Sequence, residues 1–129
     1  MSHSDGADTE PTTINLSSSD WRRRLTSKQF DILRSGGTEP PNSHSYVHFF
    51  PKMGFFVCAG CNLPLYSSSA KMQDSGWPAW DKCFYSDVQG SHVSAKATWA
   101  GTEVTCSRCK GHLGHVFYGE RRTRTNERH

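Results

Sequence analysis

No apolar run in these 129 residues approaches the roughly 18 that a membrane helix needs, so a soluble chain is expected. The N-terminus lacks the basic-then-apolar order of a secretory signal. Asp5, Asp8 and Glu10 also argue against an acid-poor transit peptide, which leaves the cytoplasm as the expected location. Large apolar side chains are scarce in residues 1–18, which are rich in Ser, Thr, Asp and Gly. Such a segment cannot bury enough surface to offset its ordering entropy. It reads as a disordered tail before a single domain over 19–129. A paired disulfide framework is missing as well, because five cysteines suit a reducing compartment better than a set of bridges.

The charge of +3 is unevenly spread, with Arg22, Arg23 and Arg24 consecutive and Arg121, Arg122, Arg124 and Arg128 crowding the C-terminus. Neither run carries interleaved aromatics or a recognisable reading helix. Solvated basic faces are therefore expected rather than a nucleic-acid site.

What the sequence does have is thiols at metal spacing. Cys58 and Cys61 form one Cys-x-x-Cys and Cys106 and Cys109 another. Each pair can present both sulfurs from one tight turn, and together they supply the four tetrahedral ligands that structural zinc takes. A disulfide or a redox dithiol is the alternative. Around these knuckles, Trp21, Leu25, Phe30, Ile32 and Leu33 predict two short helices. Asp20 is a candidate cap for the first, Thr26 with Gln29 forms a capping box for the second, and Gly36 and Gly37 stop it. Trp21 is expected to anchor its helix on the domain. The stretches 46–50 and 54–57 read as strands, and 92–99 with 102–105 as a hairpin that delivers the second knuckle.

Three further motifs accompany the knuckles: G-G-T-E-P-P at Gly36 to Pro41, D-S-G-W-P-A-W at Asp74 to Trp80 and G-H-L-G-H-V-F at Gly111 to Phe117. In this order, over roughly residues 20–129, the chain resembles the methionine-R-sulfoxide reductases. The resemblance implies a mainly β fold of two antiparallel sheets stapled by a four-cysteine zinc site, with short N-terminal helices. It also implies thiol-dependent reduction of methionine-R-sulfoxide, free or in proteins, with thioredoxin or another dithiol as reductant and a monomeric protein. Trp77 and Phe117 are the implied substrate-binding residues, with Trp77 as the apolar wall for the substrate methyl. His112 and His115 are implied to hold the oxygen side and supply a proton, and Arg128 to stabilise the thiolate. Each has a plainer reading: a packed turn for Trp77, a satisfied structural histidine for His115, a solvated charge for Arg128.

The same resemblance places the nucleophilic cysteine or selenocysteine directly after the position of His129, so these 129 residues are expected to be inert alone. Where many family members have a resolving cysteine just before G-W-P, Asp74, Ser75 and Gly76 stand here. Cys83 is the one unassigned thiol; it resolves the oxidised nucleophile or is a small buried apolar residue. The rival function is a non-catalytic zinc-stapled module that binds oxidised methionine or another partner.

Overall fold

The computed structural model describes residues 12–73 and 76–129. The tail expected at 1–18 lies outside the described residues over 1–11, as do Asp74 and Ser75; over 12–18 the chain is instead docked, since the Ile14 N–H donates to the Arg108 carbonyl, Ile14 and Leu16 pack against the core and Ser17 caps α1. Two helices come first, α1 at Ser18–Arg24 and α2 at Ser27–Ser35. Among the described residues ten short strands follow: β1 Phe55–Val57, β2 Pro64–Ser67, β3 Lys71–Met72, β4 Ala79–Trp80, β5 Tyr85–Ser86, β6 Gly90–Ser91, β7 Val93–Thr98, β8 Gly101–Cys106, β9 His112–Tyr118 and β10 Glu127–Arg128. The described residues are mainly antiparallel β, with one four-stranded sheet in the order β10-β9-β8-β7 and three two-stranded ribbons, β1-β2, β3-β4 and β5-β6.

The helix signals are local and act locally. The Thr26 hydroxyl accepts the Gln29 N–H at 3.1 Å while the Gln29 side chain accepts the Thr26 N–H at 2.9 Å, a complete capping box. Gly36 closes α2 in the left-handed region at φ 73°. The cap of α1 is Ser17 rather than Asp20: the Ser17 hydroxyl accepts the Asp20 N–H, and Asp20 sits in the first turn. There its carboxylate favours the positive end of the helix and pairs with Arg23.

Trp21 anchors α1 as expected, 2% exposed, with the Arg34 guanidinium 4.7 Å from its ring centroid. The arginines of the helical pair grip the knuckles. Arg24 Nη2 donates to the Gly60 carbonyl at 3.4 Å and Arg34 Nη1 to the Cys109 carbonyl at 2.8 Å. Arg22 lies over the Phe30 ring at 4.1 Å, so each member of the arginine triplet has a partner within the domain.

The stretch 46–50 is not a strand. Val47 N–H bonds to the His44 carbonyl and Phe49 N–H to the Tyr46 carbonyl, so consecutive turns satisfy the backbone. The aromatic side chains instead gather on β1, Tyr46 against Phe56 at 5.3 Å and Phe49 against Phe56 at 6.3 Å. Ring packing has overruled the strand preference of the residue types. The hairpin of β7 and β8 forms with Thr98 opposite Gly101, and Trp99 and Ala100 make its two-residue turn. β8 then runs directly into Cys106.

Candidate functional site

The two knuckles are copies of one backbone pattern. In the first, Cys58 N–H bonds to the Leu63 carbonyl and Asn62 N–H returns to the Cys58 carbonyl; in the second, Cys106 N–H bonds to Gly111 and Lys110 N–H returns to Cys106. Asn62 and Lys110 both sit at φ 65°, the left-handed step that folds each loop back beneath its sulfurs. All four cysteines are buried, and their sulfurs lie within 4.8 Å of one another. Cys58 and Cys109 are 3.7 Å apart and Cys61 and Cys106 3.5 Å. These separations are too long for a disulfide and close to the edge of about 3.8 Å that four 2.3 Å metal–thiolate bonds impose on a tetrahedron. Hydrogen bonding, first to Cys106 and then to Cys109, pushes the Cys58 and Cys61 thiols up, whereas hydrogen bonding to Cys106 drives Cys109 down. A cation at the centre would let all four ionise, so the donor set fits a closed four-thiolate metal site. Gly111 leaves room for it: a Cβ there would stand 3.1 Å from Leu33 and 3.3 Å from the Cys109 sulfur.

His112 and His115 are three apart, which on a regular strand would put them on opposite faces. A bulge corrects this. Glu103 pairs with His115 and Val104 with Gly114, but Thr105 pairs with His112, so Leu113 is an extra residue on β9. Glu103 and Thr105 share one face of β8, so His112, His115 and Phe117 are brought to that same face. Val104 and Val116 point the other way into the core, and Leu113 packs against that core. The two imidazoles meet edge to face with centroids 5.9 Å apart.

They face a cavity of about 720 Å³. Trp77, His112, His115, Phe117 and Arg128 all line it. Trp77 reaches it because the G-W-P segment is pinned to the G-T-E-P-P loop. The Trp77 indole N–H donates to the Glu39 carbonyl at 2.7 Å, and Asn42 N–H donates to the Gly76 carbonyl at 2.6 Å. With its one polar atom held by backbone, the 38% exposed ring offers the cavity hydrocarbon. Arg128 stands opposite Phe117 in the β10–β9 pair, its guanidinium 4.4 Å from that ring's centroid. It also makes a bidentate pair with Glu120 at 2.8 and 3.1 Å, which holds the Glu120 carboxyl below its ordinary range. Cys83 does not line the cavity. It is half-buried, packs against the core and has its sulfur 3.3 Å from the Ser91 hydroxyl.

Sequence reasoning missed a buried polar chain at the cavity wall. His129 Nε2 lies 2.8 Å from Glu127 Oε1 and its Nδ1 lies 3.1 Å from the Tyr66 hydroxyl. Burial pushes that phenol up, with the charges of Cys83 and Glu127 adding. Tyr66 in turn stacks on Trp80 at 4.5 Å, and Trp80 exchanges two backbone hydrogen bonds with His129. Tyr66, Trp80 and His129 line the cavity with the others.

The SelR domain family matches residues 25–129. Peptide methionine sulfoxide reductase B5 of Arabidopsis thaliana is 41% identical over 122 residues, covering 92% of this chain and 84% of that protein. The protein of the same name from Oryza sativa subsp. japonica is 42% identical over 116 residues, covering 88% of this chain and 82% of its own. Peptide methionine sulfoxide reductase B2, chloroplastic, of Arabidopsis thaliana is 41% identical over 122 residues, with 92% of this chain aligned to 58% of that longer protein.

Proposed function

The chain belongs to the SelR-domain family of type B peptide methionine sulfoxide reductases, and from that premise we propose that its cavity binds the R epimer of methionine sulfoxide for reduction by a thiol. The observation that carries this reading is the convergence of an apolar wall at Trp77 and a histidine pair at His112 and His115 on one cavity. A sulfoxide has an apolar methyl and a strongly accepting oxygen on the same sulfur, and such a cavity offers a surface for each. The Arg128 cation beside Phe117 favours a thiolate at the same wall.

In the reaction a thiolate attacks the sulfoxide sulfur while a proton reaches the oxygen. The nucleophile is left as sulfenic acid and methionine departs. An external dithiol, thioredoxin by family resemblance, then reduces the sulfenic acid, releasing water and becoming a disulfide. The metal is zinc in this reading, and its role is structural: it holds the ends of β8 and β9 on which the histidines depend.

None of the five cysteines in the 129 residues has both a free role and a place on the cavity, since four form the cluster and Cys83 lies outside. By family resemblance the thiol, or a selenol, is assigned to the position directly after His129. Resolution by Cys83 requires the segment carrying it to leave its core packing, so direct reduction by the external dithiol is preferred. The same observation favours the second reading, a module that binds oxidised methionine without turnover. The test compares two chains with dithiothreitol as reductant. The 129 residues should consume no methionine-R-sulfoxide, whereas the chain extended by one cysteine after His129 should do so catalytically. Turnover by the shorter chain would overturn the assignment of the thiol, and silence of a folded extended chain would favour the binding module.

A further inference from the structure

His112 Nδ1 is buried and, among the described residues, has no hydrogen-bond partner. A buried, unpaired ring nitrogen at a cavity wall is costly and calls for a reason. The carboxylate of Glu103 stands 3.6 Å away, on the neighbouring strand of the same sheet. The β9 bulge produces this juxtaposition: it brings His112 onto the face that Glu103 already shares with His115, its direct cross-strand partner. Without the extra residue Leu113, His112 would be on the opposite face and Glu103 would meet His115 alone.

We propose that Glu103 is a positioning residue, which holds His112 with its Nδ1–H toward the carboxylate so that Nε2 is the nitrogen offered to the sulfoxide oxygen. A shift of a few tenths of an ångström converts the 3.6 Å separation into a hydrogen bond that satisfies the buried nitrogen. When His112 is protonated, the proton on Nε2 goes to the oxygen, and the ring returns to its neutral form without reorienting because Glu103 keeps the proton on Nδ1. A carboxylate behind an imidazole acts in this way in other acid–base sites. Other charges meet Glu103 as well. Lys96 is opposite it on β7, and Arg34 and Lys110 line with it, His112 and His115 an adjoining cavity of about 490 Å³. The carboxylate thus has cations around it; His112 and His115 both also face the larger cavity, and His112 is the one whose ring nitrogen stands 3.6 Å from the carboxylate.

The inference rests on the proposed reduction, but its test does not need turnover. Nitrogen-15 spectra of the 129-residue chain report which ring nitrogen of neutral His112 is protonated. The expected result is Nδ1–H in the parent chain, retained in Glu103→Gln, whose side-chain oxygen still accepts, and lost to Nε2–H in Glu103→Thr. Threonine suits a half-exposed strand position and is too short to reach the ring. Nε2–H in the parent chain, or an unchanged tautomer in a folded Glu103→Thr variant, would overturn the proposal. Should Glu103→Thr not fold, the parent spectrum and Glu103→Gln still decide it. In the cysteine-extended chain, Glu103→Thr should lower kcat by roughly 10–100-fold with KM little changed. Nδ1–H in a chain that never reduces sulfoxide would leave the positioning intact and refute the reaction.

Discussion

Stripping the metal is expected to unfold the whole domain, helices included, in one transition. The four sulfurs belong to the hydrophobic core, in the cluster that contains Trp21, Leu33, Val104 and Val116. The helices reach the knuckles directly through Arg24 and Arg34. Structural zinc contributes on the order of 10–16 kcal/mol in small thiolate sites, as much as or more than the total stability of about 5–15 kcal/mol typical of a domain. Cys106→Ser, at a position 0% exposed, should have the same consequence. Elemental analysis should give about one zinc per chain, and circular dichroism should collapse on chelation and recover when zinc is returned. A chain that stays folded without metal and titrates all five thiols freely would refute the metal as the organising element.

The knuckles were legible because a tetrahedral thiolate site dictates its own sequence spacing, and the capping box and the β7–β8 hairpin were legible because they are contacts between residues close in sequence, although the turn falls at Trp99 and Ala100, one residue before the Ala100–Gly101 step that the strand bounds implied. Features that depend on pairing between distant strands were not. The i, i+3 histidines gave no sign of sharing a face, since that needs the bulge at Leu113; Gly114 inside a strand, at φ 152°, was the available signal. Glu103 acquires meaning only through the register of β8 against β9. The Glu127–His129–Tyr66 chain needs β10 to close beside β4. The stretch 46–50 shows the converse error: a strand inferred from residue type where ring packing on Phe56 prevailed.

The second large effect concerns the acid. His112 lines the cavity with a carboxylate behind it, whereas His115 lacks that arrangement among the described contacts. In the cysteine-extended chain, His112→Ala should slow the reduction step by about 10²–10⁴-fold, the range ascribed to a positioned general acid. Single-turnover measurement of methionine formation separates this from slow reductant exchange. His115→Ala should cost less. The reverse order would make His115 the acid, and equal, small losses would leave the proton to solvent.

In the proposed reaction one cavity sorts the two ends of a sulfoxide, methyl toward Trp77 and oxygen toward the histidine pair. A sulfoxide sulfur is a stereocentre, so inverting it exchanges those ends. The direct measurement is the rate of methionine formation from each separated epimer by the cysteine-extended chain with dithiothreitol. The R epimer should be turned over and the S epimer should not; equal rates on both would refute that sorting.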